Sequence, residues 1–291
     1  MKHLLWYVAF LGLLFTGDRL AGWWLQRQAI TSQFRYARLY SGRAAAEILL
    51  VGNSRGLTFY EPYIEAITGK TTFNLSYNGL SMDAANALVQ DYLDRYPAPR
   101  TMLLDITICD RPNNDLLAGF ATYAPFSARL DGLVHDSLPK MWGGNQFSQL
   151  TRFNNEIFQR ALFHRRNTDK DWLLDRVIPP QLIAEASQHN YPLEMHPQLV
   201  EQLRQAVQAA QAKGVQVQLV ISPYFPGFDQ RVSNLDALTT AVEQATGLPV
   251  HDYRQALTEP GDFGDYMHPN KKGSLHYMDL LRKDEVLPSF K

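Results

Sequence analysis

Cysteine is almost missing from this sequence. Cys109 is the one example among 291 residues. A single thiol excludes an internal disulfide, and the absence of Cys/His clusters at ligand spacing argues against a zinc site. Cys109 follows an apolar stretch and reads as a small buried packing residue. Surplus charge of either sign is also missing: 28 Lys and Arg face 29 Asp and Glu, for a net charge of -1. A nucleic-acid partner needs a basic face, so that class is set aside. Internal repeats and low-complexity tracts are absent as well. What is present is 45% hydrophobic content, ordinary for a chain with a sizeable core.

One long apolar run stands at the N-terminus, "LLWYVAFLGLLFT" over residues 4 to 16. Extended to Leu25 it reaches the roughly 20 residues that span a bilayer, with Trp23 and Trp24 as interfacial anchors and Asp18 and Arg19 near one end. No small-residue cleavage pattern follows the run, so residues 1–25 read as an uncleaved signal anchor; the plainer alternative is a buried core helix. Arg19, Arg27, Arg35 and Arg38 follow it, a bias toward a cytoplasmic main domain. Long domains cross largely regardless of such charges, and the main domain is expected on the periplasmic or extracellular side of a single-pass protein of the inner membrane.

Beyond a helical linker at 26–45, strand and helix signals alternate. "AEILLVG" (46–52) is continuously apolar, as a strand buried on both faces of a parallel sheet should be. "TTFNLSY", "RTMLLDITI", "VQVQLVISP" and "LPVHDY" supply four more strands, separated by helical patterns that end at Gly69, Gly214 and Gly247. Ser81 and Asn270 are candidate N-caps. From about 110 to 195 the alternation breaks into a mainly helical, aromatic-rich stretch, read as an insertion that covers or borders the site. Its aromatic residues read as core or partner contacts before a sugar platform.

Parallel sheets bind ligands beyond the carboxyl ends of their strands. Three such ends carry chemistry. Ser54 leaves the first strand in "VGNSRG". Asn78-Gly79 leaves the second. Asp265 and His268 lie in "GDYMHPNKKG" after the fifth. A serine hydroxyl needs a base to become a nucleophile, and the base needs an orienting group. The competing role for Ser54 is a simple N-cap. Asp262 competes with Asp265 as the orienting group. The backbone N–H groups of Ser54 and Gly79 are candidate oxyanion donors. Arg55, Asn78 and Thr107 are candidate substrate-binding residues. His251, His268 and His276 have no ligand-like spacing, and neither a metal nor a cofactor is expected.

These motifs resemble the SGNH (GDSL-type) hydrolases: "VGNSRG" is similar to block I, "LSYNGLS" to block II and "GDYMHPNKKG" to the Asp-x-x-His of block V. The resemblance implies Ser54 as nucleophile, His268 as general base, Asp265 as its orienting group and Gly79 as the oxyanion glycine. It implies a three-layer α/β/α sandwich on a five-stranded, flavodoxin-like parallel sheet over residues 46–291. Block III departs from the pattern. The third strand ends "LLDITICDRPNN", where Asp105 and Thr107 stand nearest and Asn113 and Asn114 lie further along. With the N-terminal anchor, this departure resembles the subgroup of D-alanyl-transfer proteins (DltD) and bacterial polysaccharide acyl-transfer proteins. That implies acyl transfer, of an O-acetyl or similar group, to an envelope polysaccharide, with the donor delivered by a membrane-bound O-acyltransferase. The alternatives are an esterase of the same fold and a non-catalytic accessory subunit of a membrane acylation complex.

Overall fold

The computed structural model describes residues 2–288. The chain divides into two compact units, Met1–Arg43 with Asn114–Asp169, and Ala44–Asn113 with Lys170–Lys291. In chain order the helices and strands are α1 (Lys2–Ile30), α2 (Arg35–Tyr40), β1 (Ile48–Val51), α3 (Glu61–Thr68), β2 (Thr72–Asn74), α4 (Met82–Arg95) and β3 (Thr101–Asp105). Then follow α5 (Asn114–Gly119), α6 (Ala128–Ser137), α7 (Pro139–Phe147), α8 (Glu156–Phe163), α9 (Pro180–Glu185) and α10 (Pro197–Ala212). The chain closes with β4 (Gln216–Ile221), α11 (Leu235–Thr246), β5 (Val250–Asp252) and α12 (Lys271–Lys283).

The sheet unit is an α/β/α sandwich. Its five strands are all parallel in the order β2-β1-β3-β4-β5. Helices cover both sides. Helix α10 packs against α4 and α11, and α12 packs against α3. Every residue of β1 and β3 is buried, which explains why both read as unbroken apolar runs. From β1 the chain crosses to β2 at one edge, whereas from β3 it proceeds toward β5 at the other. The connections therefore diverge between β1 and β3, and in such sheets that divergence opens the ligand crevice.

The sequence boundaries shift in two places. Helix α1 does not end near residue 25; it continues to Ile30 without a break. The first unit ends at Asp169, so residues 170–195 of the expected insertion belong to the sheet unit. The N-cap expectations divide as well. Asn270 caps α12 by accepting the Gly273 N–H at 3.1 Å, but Ser81 makes no capping bond because its hydroxyl donates to Asp83.

In the helical unit, Tyr36, Phe120 and Tyr123 form a buried aromatic cluster. Arg35 and Asp169 are paired in its interior, with Nε to Oδ2 at 3.1 Å and Nη2 to Oδ1 at 3.2 Å. Helix α1 has two distinct halves. Leu4 to Phe15 present exposed apolar side chains, and no part of its most apolar window is buried. Among the described residues it is the one helix long and apolar enough to cross a membrane. From Asp18 onward the helix docks within its unit. Asp18 accepts from the Ser148 hydroxyl and the Gln149 N–H, Arg19 donates to the Gln146 and Phe147 carbonyls, and Gln26 donates to the Thr122 carbonyl. Asp18 and Arg19, read from sequence as flanking charges of an anchor, are docking contacts.

Candidate active site

Strand β1 delivers Ser54 to the crevice through a tight turn. The Asn53 side chain closes it by accepting the Arg55 N–H at 2.9 Å, and Asn53 Nδ2 reaches across to the Thr107 carbonyl at 3.1 Å beyond β3. Gly56 is required here by space, since a Cβ would lie 2.3 Å from the Ser76 hydroxyl oxygen. Ser54 precedes a short 3-10 turn over Arg55–Thr58, yet its side chain caps nothing. Its hydroxyl instead lies 2.9 Å from Nε2 of His268.

His268 sits on a loop locked by its own backbone. Gly264 N–H donates to the His268 carbonyl at 3.0 Å, and Phe263 bridges Pro269. Asp265 Oδ1 accepts from the Met267 N–H, the His268 N–H and His268 Nδ1, each at 2.9 Å. Burial pushes the Asp265 carboxyl up, but the hydrogen bond and charge of His268 and the two amides outweigh it, leaving the group below its ordinary value. An ionised Asp265 accepts the hydrogen bond of Nδ1–H and so keeps the proton on that nitrogen, which leaves Nε2 as an acceptor aimed at the Ser54 O–H. Asp262, the sequence rival, is buried against Lys272 at 2.9 Å and His276 at 3.0 Å. His251 bonds Gln218 at 3.1 Å, and no metal-holding group of His, Cys, Asp or Glu occurs among the described residues.

Two cavities meet at Ser54. The larger, about 370 Å³, includes Gly79, Thr107, Asn113, Tyr191, Tyr224 and Met267 in its walls. The smaller, about 180 Å³, is walled by Leu57, Asn78, Trp172, Leu174, Asp265 and His268. Gly79 adopts φ +69°, a left-handed conformation that glycine tolerates best. A Cβ there would also lie 2.6 Å from Nδ2 of Asn113. Asn113 donates to the Gly79 carbonyl at 3.0 Å, so the asparagine that looked too distant in sequence returns to the site. The 3-10 turn over Ile106–Cys109 folds the chain back toward the crevice.

Two candidate substrate contacts, Arg55 and Thr107, line the larger cavity and are also bonded within the protein. Arg55 is 2% exposed and donates to the carbonyls of Met267 at 2.6 Å, Pro223 at 3.2 Å and Ser222. Its guanidinium lies 3.5 Å from the Tyr224 ring centroid and 3.9 Å from Asp105. It ties the turn after Ser54 to the residue before His268 and to the end of β4, and it also lines the larger cavity. Thr107 is buried and donates its hydroxyl to Asp105 Oδ1 at 2.5 Å. Asp105 also accepts the Ser222 N–H at 3.0 Å, which joins the ends of β3 and β4 beneath the site. Asn78 remains exposed at the smaller cavity. Cys109 is fully buried, and burial pushes its thiol upward, so it is no nucleophile.

The sheet unit is an α/β/α sandwich with Ser54, His268 and Asp265 joined by hydrogen bonds beyond the carboxyl edge of its sheet. No family model and no curated protein matches the sequence. Among solved structures, the chain is similar to a GDSL-like lipase from Bacteroides thetaiotaomicron. The identity is 10%, the TM-score is 0.39, and 82% of this chain and 86% of that one are covered.

Proposed function

We propose that the protein is a membrane-anchored serine acyltransferase that moves an O-acetyl or similar acyl group onto an envelope polysaccharide. The observation that carries this reading is the continuous Ser54–His268–Asp265 relay, with both links at 2.9 Å. Ser54 Oγ attacks the donor carbonyl while His268 Nε2 takes its proton. The Ser54 and Gly79 N–H groups bind the oxyanion, and Asn113 Nδ2, beside Gly79, is a third donor. His268 returns the proton to the departing oxygen, and collapse leaves an acyl-serine. A sugar hydroxyl, deprotonated by the same histidine, then takes the acyl group. Asp265 fixes the imidazole tautomer throughout.

The exposed apolar half of α1 supports anchoring in a membrane; the inner membrane, a periplasmic or extracellular sheet unit and a nearby membrane-bound acyl donor are proposed with it. Replacing Ser54 with Ala in the full chain tests the catalytic reading. Polymer acylation, measured as base-labile ester per sugar, is expected to fall at least about 10³-fold. Unchanged acylation would make the protein a non-catalytic subunit.

A further inference from the structure

The two cavities at Ser54 are chemically unlike, and the direction of proton transfer decides what each holds. His268 and Asp265 border the smaller one, Gly79 and Asn113 the larger, and Ser54 is common to both. In an acyl transfer through Ser54, the carbonyl oxygen turns toward the oxyanion donors. The oxygen of the departing alcohol must lie within hydrogen-bond reach of His268 Nε2, because that nitrogen supplies its proton. By microscopic reversibility an accepting alcohol enters by the same place. The alcohol half of the ester therefore belongs on the histidine side.

The walls there indicate which alcohol. Trp172, Leu57, Leu173, Leu174 and Pro269 give an apolar surface, with Asn78 at its edge. Trp172 is braced edge-on against Tyr77, with ring centroids 5.5 Å apart. The segment carrying it is fastened to the histidine loop. The Lys271 N–H donates to the Leu174 carbonyl at 2.8 Å, the Ile178 N–H donates to the Phe263 carbonyl at 2.7 Å, and Arg176 donates to the Gly264 carbonyl at 3.1 Å. No lysine or arginine is among the lining residues, and the nearby Arg176 guanidinium is paired with Asp265 at 3.4 Å, which disfavours a phosphorylated or acidic alcohol. An indole with a polar amide beside it suits a neutral sugar ring, whose C–H face packs on the aromatic while its hydroxyls reach the edge.

Resting on the acyl-serine reading, we infer that the smaller cavity is the alcohol subsite and that Trp172 selects a neutral sugar hydroxyl over water and simple alcohols. The transfer step balances: the Ser54 Oγ–acyl bond breaks, the sugar oxygen–acyl bond forms, and the sugar hydroxyl proton passes through His268 Nε2 to Ser54 Oγ.

The test is the partition of one acyl-enzyme. Full-length protein in detergent is acetylated with 4-nitrophenyl acetate in the presence of equimolar methyl glucoside and ethanol. The acetylated products are separated and counted. Because the ratio is set after acylation, slower acylation of a variant does not alter it. The wild type is expected to favour the glucoside; Trp172→Ala lowers the glucoside-to-ethanol ratio about tenfold, and Trp172→Phe restores most of it. A ratio unmoved by Trp172→Ala, or a wild type without preference for the glucoside, overturns the subsite. A wild type that releases no 4-nitrophenol and forms no acetyl-Ser54 overturns the acyl-serine reading itself.

Discussion

Asp265 Oδ1 alone accepts three hydrogen bonds from its own loop, and its replacement separates geometry from charge. Asp265→Asn keeps the shape but favours the wrong imidazole tautomer, and kcat is expected to fall about 10⁴-fold with little change in fold. The acid side has a definite sign. The folded carboxyl lies below its ordinary value of 3.8, so the stabilisation it gives is complete above that value. It is lost as pH falls through the depressed folded value. Acid unfolding followed by circular dichroism should lose this contribution in Asp265→Asn. Arg55 makes a different prediction. Its donors hold backbone carbonyls on two loops, so Arg55→Met takes the side-chain donor from those carbonyls and the paired cation from Asp105. A loss of about 3 kcal/mol in urea unfolding is expected, with Arg55→Lys recovering part of it. A ligand-binding arginine would raise KM and leave stability untouched.

At the scale of elements, α1 separates into an exposed apolar half and a docked half. At about 1.5 Å per residue its 29 residues extend roughly 43 Å, longer than a hydrocarbon core of about 30 Å. Deleting residues 2–17 is expected to release the protein from membranes with its melting temperature preserved. Deleting 2–30 also removes the Asp18, Arg19 and Gln26 contacts, and the melting temperature should fall. Fractionation and calorimetry distinguish the two. The five strands were legible because a parallel sheet buries both faces and leaves continuous apolar runs such as Ile48–Val51. Ser54, Asp265 and His268 were legible because two of them lie three residues apart in one loop. The burial of Arg55 was not legible because neighbouring sequence carries no sign of it. Asn113 looked too far along the chain and Trp172 was not singled out, because long-range folding, not local spacing, brings them to the crevice. The end of the insertion was misplaced for a related reason: residues 170–178 have no strand pattern, yet bond to the histidine loop through their backbone.

For the whole molecule, a helix long and apolar enough to cross a membrane and a serine bonded to an oriented imidazole occur in one chain, and both belong to the proposed function. Its central claim is that His268 makes Ser54 a nucleophile. A serine that merely caps a turn does not react with a fluorophosphonate, whereas one bonded to an oriented imidazole does. The direct measurement is labelling of the full-length protein with a fluorophosphonate, followed by mass spectrometry of the peptide spanning residues 46–60. The account predicts a stoichiometric adduct on Ser54 that is lost in Ser54→Ala and in His268→Ala. An unmodified Ser54, or labelling that survives in His268→Ala, would contradict it.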